Sequence, residues 1–124
     1  MLARYIAQDD PEQTPKANHL IDSLTVENPG FICLAAVVEL VRVLQVCYDA
    51  SKEESVAVLD RLLRIPALVI ENAEIVVQAL REYRGTTAHF ADCVINRSGI
   101  YAGCAYIATF DRKASNLGGM QLIQ

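Results

Sequence analysis

The stretch "FICLAAVVELVRVLQVCYDA", residues 31–50, changes character part-way along. Residues 31–35 form a short, continuously apolar run, which suits a strand buried on both faces. From residue 36 the apolar run is too long for a strand, while Glu39, Arg42, Gln45 and Asp49 fall on one stripe at helical spacing. The stretch therefore reads as a strand running straight into a helix. That is the grammar of a parallel α/β fold, in which helices cover both faces of the sheet.

The same grammar repeats outward from it. "ALVI", residues 67–70, is a second short buried strand, followed by the helical "ENAEIVVQALREYRG" ending at Gly85. "TAHFADCVINRSGIYAG" is a helical stretch, weakened by Ser98 and Gly99, and it leads to the strand "AYIATF", a turn with "NLGG" and a last strand "MQLI". Ser51 and Glu54 make a capping box for a helix that Pro66 closes. Upstream, residues 12–24 keep helical spacing through Ala17, Leu20, Ile21 and Leu24, and "NPGF" breaks the chain after them. The chain opens on the helical "LARYIAQ" with no strand before it, whereas doubly wound sheets usually begin with a strand that ends near the ligand crevice.

A chain of 124 residues fits a single domain, 1–124, with a real core. No apolar run approaches the ~20 residues of a membrane span, so no membrane is expected. Two acids in "MLARYIAQDD" stand where a secretory signal has its apolar core, which points to the cytoplasm. Cys33, Cys47, Cys93 and Cys104 lie apart in apolar segments without ligand spacing and read as buried free thiols rather than a zinc site. A net charge of −4 argues against holding nucleic acid by charge alone, though not against touching it through a metal.

Three carboxylates occupy suggestive places. Glu39 lies early in the helix after "FICLA", Asp92 in the opening turns of the helix at "HFADCVI", and Asp111 directly after the strand "AYIATF". In a parallel sheet, strand ends and the starts of following helices share one edge, where such acids can converge. Clustered carboxylates repel unless a cation lies among them. A hard divalent ion such as Mg²⁺ takes oxygen ligands and bridges to substrate phosphate, and it can assist phosphodiester hydrolysis. Each acid also has a plainer reading. Glu39 with Arg42 makes an ion pair on a solvated face, and Asp111 caps the turn after its strand. His89 is a helix-start residue beside Asp92 and shares a helix face with Asp92 and Asn96. His19 is an exposed helix residue, and Tyr83, Tyr101 and Tyr106 read as packing.

Taken in order, "LARYIAQDDPEQTPKA", "FICLAAVVELVRVL", "HFADCVI" and "IATFDRKA" resemble the opening helix, the glutamate helix, the aspartate helix and the T-x-D strand end of PIN-domain ribonucleases of the VapC toxin type. The resemblance covers essentially the whole chain. It implies a three-layer α/β/α sandwich with a parallel sheet, and Mg²⁺- or Mn²⁺-dependent cleavage of RNA. It also implies dimerisation, and neutralisation by a small cognate antitoxin. On these motifs Asp92 and Asp111 would be the main metal carboxylates, and Glu39 would bind metal or orient the attacking water. The family opens with a strand followed by Asp-Thr-Asn or Asp-Ser-Asn, and Met1 stands just past that triplet. The first, central strand and the first metal-binding acid are therefore missing from this chain. Two expectations follow: open strand edges, and little nuclease activity in residues 1–124 alone. The upstream coding DNA decides between a misassigned start and a catalytically inactive PIN-like binding module that docks an antitoxin or a second copy. A receiver-like or phosphatase-like domain is a third reading, but its strand-end lysine and phosphoacceptor aspartate have no convincing counterparts.

Overall fold

Helices and short strands alternate as the apolar runs suggest in the computed structural model, which describes residues 1–124. The chain divides into two units, 1–71 and 72–124. The first holds α1 (Leu2–Ala7), α2 (Gln13–Ser23), β1 (Gly30–Ile32), α3 (Leu34–Cys47), α4 (Lys52–Leu63) and β2 (Leu68–Ile70). The second holds α5 (Ala73–Arg84), α6 (Phe90–Tyr101), β3 (Ile107–Thr109), a 3-10 turn (Ala114–Asn116) and β4 (Met120–Leu122). No helix is long and apolar enough to cross a membrane. The α/β class expected from the sequence is present, with parallel strand pairs.

In the first unit, the change from strand to helix falls earlier than residue 36. Cys33 is extended, and α3 begins at Leu34, whose N–H donates to Glu71 Oε1 at 2.8 Å. The first N–H groups of a helix lack internal acceptors. Here a carboxylate just past β2 supplies one, a non-local partner that no local pattern in residues 31–36 reveals. The same residue ties the strands from its backbone, since Glu71 N–H donates to Ile32 C=O at 2.9 Å. Val37, Leu40, Val41 and Leu44 of α3 are buried, as are Val56, Leu59 and Leu62 of α4. Each of these large side chains contributes about 1.5–3 kcal/mol by leaving water. Ser51 and Glu54 form the expected capping box at the start of α4.

In the second unit α5 packs on α6. Val76, Ala79 and Cys93 are fully buried, and Tyr83 meets the ring of Phe90 edge-on at 5.6 Å between centroids. Such an arrangement sets the positive edge of one ring against the negative face of the other.

Several expectations need correction. The hydrogen-bonded strands form two two-stranded sheets, β1 with β2 and β3 with β4, rather than one continuous ladder. A parallel strand bonds to a given neighbour through alternate residues. Gly30 N–H donates to Ala67 C=O and Ile32 C=O accepts from Glu71, so the Phe31 peptide groups face away from β2. Ile107 N–H donates to Gly119 C=O and Thr109 C=O accepts from Ile123, which leaves the Ala108 groups facing away from β4. Each sheet therefore ends on an unpaired edge. Of the four thiols, all free, only Cys93 is buried. Cys33 is the N-cap of α3 and Cys47 its last residue, both off its buried stripe, and Cys104 lies in the loop before β3. Tyr83 packs as expected, but Tyr101 and Tyr106 are exposed, and the Tyr101 hydroxyl instead donates to Glu74.

Candidate metal centre

Asp111 sits two residues past β3, where the chain must reverse within residues 110–119 to lay β4 parallel to β3. Its side chain helps make that reversal. Asp111 Oδ1 accepts the N–H groups of Lys113 at 2.8 Å and Ala114 at 3.2 Å, leading into the 3-10 turn. Its own N–H donates to Thr109 Oγ1 at 3.0 Å. The turn-capping reading of Asp111 is thus realised, and Oδ2 remains clear of these bonds.

His89 and Asp92 come from the start of α6. His89 is the N-cap, with extended backbone, and Asp92 stands three residues on. Asp92 Oδ2 accepts the His89 N–H at 3.3 Å, which turns the carboxylate back towards the helix start. The imidazole Nδ1 lies 3.6 Å from the same oxygen. Carboxylates are favoured at this end of a helix by the exposed N–H groups.

One ligand atom each from His89, Asp92 and Asp111 lies within 4.8 Å of the other two. Three ligands on one divalent ion at about 2.1 Å stand roughly 3.0–3.6 Å apart, so the side chains would have to draw closer to share one. The donors, two carboxylates and an imidazole, suit a divalent cation. Asp92 is half-buried, and Asp111 and His89 are exposed. Arg112 and Lys113, both exposed, follow Asp111 directly.

Of the three acids singled out from sequence, the structure brings Asp92 and Asp111 together and adds His89. Glu39 stands in the other unit, in the second turn of α3. There it makes the expected pair with Arg42, at 2.5 Å and 2.9 Å. The Arg42 guanidinium holds the Glu39 carboxyl below its ordinary range. Glu39 also lines a pocket of about 300 Å³ with Leu2, Ala36, Leu40 and Val43.

Behind α6 lies a network that sequence reasoning missed. Asn96 is fully buried. Its Nδ2 donates to Glu82 Oε1 at 3.1 Å, to Glu82 Oε2 at 3.2 Å and to Gly118 C=O at 2.9 Å. Arg97 Nε donates to the same carboxylate. Asn96 thereby pins α5, α6 and the segment entering β4 to one another, and that segment begins at Asp111. Asn96 Oδ1 has no partner and faces Gly119, where a Cβ would lie 2.8 Å away. With φ at +110°, Gly119 occupies backbone space that other residues avoid. On the sequence, Asn96 looked like one more residue of the face bearing His89 and Asp92. Only its burial, invisible in spacing, separates the two roles.

No family model, curated protein or solved structure matches the chain.

Proposed function

We propose that this chain is a divalent-metal-dependent endoribonuclease of the PIN type, the toxin of a toxin–antitoxin pair, with its metal carboxylates at Asp92 and Asp111. The observation that carries the reading is their convergence. They lie 19 positions apart on a helix start and a strand end, yet their ligand atoms fall within 4.8 Å.

On this reading Asp92 and Asp111 hold a Mg²⁺ or Mn²⁺ ion, which when bound supplies Lewis-acid stabilisation of charge on the scissile phosphate. Asp92 is held in place by the His89 N–H, and Asp111 by the N–H groups of Lys113 and Ala114. Both carboxylates are thus oriented before any ligand arrives, which lowers the ordering cost of binding. Arg112 and Lys113 offer positive charge beside the acids and draw an RNA backbone towards them, offsetting a net charge of −4. Glu39 receives its place from the family resemblance alone, and its pairing with Arg42 would have to open for it to contribute. A cognate antitoxin and a homodimer belong to the same proposal.

A second reading, a binding module without catalysis, is favoured by a different observation. Beside β1 runs an apolar groove of about 500 Å³, lined by residues including Leu20, Leu24, Phe31 and Ala36. With the open Phe31 edge it has the form of a strand-docking surface.

The two readings separate in one experiment. Residues 1–124 are incubated with a labelled RNA pool and Mn²⁺ or Mg²⁺, beside Asp92→Asn and Asp111→Asn. The nuclease reading expects slow cleavage above background that either substitution or a chelator removes. Cleavage unchanged by both substitutions, or none with any divalent ion, would leave the binding module as the function.

A further inference from the structure

We infer that His89 is a metal ligand, and that its imidazole makes this centre select a late first-row divalent ion, Co²⁺ or Zn²⁺, over Mg²⁺. The inference rests on Asp92 and Asp111 being metal carboxylates and goes beyond that reading by changing which ion the centre prefers.

Three observations support it. The first is geometric: the His89 ligand atom lies within 4.8 Å of both the Asp92 and Asp111 ligand atoms, so the three converge as a triad. The second is positional. His89 is the N-cap of α6, its backbone fixed by the first turn, and its side chain lies towards Asp92, with Nδ1 3.6 Å from the carboxylate. Two of the three ligands thus come from one rigid helix start, three residues apart, and the third from a turn that Asp111 itself caps. The third concerns residue choice. Ser, Thr, Asp and Asn are the favoured N-caps, because a short side-chain oxygen reaches the N2 or N3 amide. Histidine is not among them; its side chain does accept the N3 N–H here in a capping box, but that use takes only one of the two ring nitrogens. A side chain that is 72% exposed is not held there by packing.

The chemistry then follows from the donor set. Mg²⁺ demands oxygen ligands and keeps several waters, so it gains little from an imidazole. Imidazole nitrogen suits Zn, Cu, Fe and Ni, and affinity for N/O sites rises from Mn²⁺ towards Cu²⁺. Adding one nitrogen to two carboxylates therefore strengthens Co²⁺ or Zn²⁺ binding more than Mg²⁺ binding. With three protein ligands, a tetrahedral ion keeps one position open for substrate.

The test uses the whole chain and the metals alone. Co²⁺ is titrated by its visible absorption, with Mg²⁺ as competitor, for the unsubstituted protein and for His89→Asn, Asp92→Asn and Asp111→Asn. Asparagine is a favoured N-cap, so His89→Asn keeps the helix start, and circular dichroism of the metal-free proteins checks this. The sequence has two histidines, and His19→Gln controls for binding at the other one. The inference expects His89→Asn to weaken Co²⁺ about tenfold or more, with Mg²⁺ competition little changed and the absorption band shifted. It expects His19→Gln to change nothing. Either aspartate substitution should weaken both ions. An unchanged preference for Co²⁺ over Mg²⁺ in His89→Asn overturns the inference while leaving the two-carboxylate centre intact. If the aspartate substitutions also leave binding unchanged, the centre itself fails, and the inference with it. A second readout is direct: Mn²⁺ should broaden the His89 imidazole resonances selectively, and broadening at His19 alone would count against the assignment.

Discussion

Asp111 performs two tasks that a single substitution can separate. One is structural, the capping of the backbone turn after β3 through Oδ1. The other is the proposed gripping of a cation, which needs the negative charge. Asparagine keeps an acceptor oxygen and tolerates such turns, so Asp111→Asn should leave thermal stability nearly unchanged while removing cation-induced stabilisation. Asp111→Ala loses the cap as well and should cost about 1 kcal/mol. Differential scanning calorimetry with and without Mn²⁺ checks both, and equal destabilisation by the two variants would show that the cap is not what Asp111 contributes. Asn96 is the opposite case, a polar residue fully inside the protein. Removing its amide takes hydrogen bonds from Glu82, which keeps Arg97, and from Gly118 C=O, and such a bond is worth about 0.5–1.5 kcal/mol net, or about 1.5–3 kcal/mol to a charged group. Asn96→Ala should therefore lower the unfolding free energy measured by urea titration by an amount in that range. Because Asn96 also anchors the segment entering β4, it should weaken cation binding as well, without touching the ion.

At the scale of elements, α4 is the helix whose start the sequence states most openly. Ser51 Oγ accepts the Glu54 N–H at 3.1 Å, and Glu54 Oε1 accepts the Ser51 N–H at 3.0 Å. Ser51→Ala should cost about 1 kcal/mol. The same box makes stability depend on pH. The Ser51 N–H and hydroxyl hold the Glu54 carboxyl below its ordinary value of 4.5. A carboxyl lower in the folded than in the unfolded chain adds stability above its unfolded pKa and loses it as pH falls through the folded one. Urea midpoints measured from pH 7 down to pH 3 should therefore fall less steeply for Glu54→Gln, which keeps the reciprocal hydrogen bonds but has no proton to gain. Identical slopes would mean the box does not persist in solution. This start was legible because both halves of the interaction lie within four residues. The start of α3 was not, because its acceptor, Glu71, is 37 positions from Leu34. The candidate centre divides along the same line. Asp92 and Asp111 follow from the rule that strand ends and helix starts share an edge, whereas His89 looked like a plain helix start. Its meaning depends on Asp111, which no spacing within α6 contains.

At the scale of the whole molecule, alternating apolar runs predicted parallel pairing correctly but predicted one sheet where there are two. The reason is that apolar runs report which segments are buried, while sheet continuity depends on a neighbour for every edge. Phe31, at 65% exposure, marks the consequence: a large ring in a run that reads as fully buried is left in water. The edges themselves supply the measurement. Gly30 and Ile107 donate their N–H groups across the strand pairs, to Ala67 and Gly119, while the neighbouring Phe31 and Ala108 amides point out of the ladders. Amide exchange is slowed where a hydrogen bond must open first and is fast where none exists. In dilute solution Gly30 and Ile107 should therefore be protected, with Phe31 and Ala108 exchanging far faster despite lying in the same strands. Raising the protein concentration should change little if the chain stays single. If Phe31 and Ala108 instead gain protection with concentration, the open edges are being filled by another copy, as exposed strands are prone to do. Protection of both at every concentration would mean that these strand edges are not open at all.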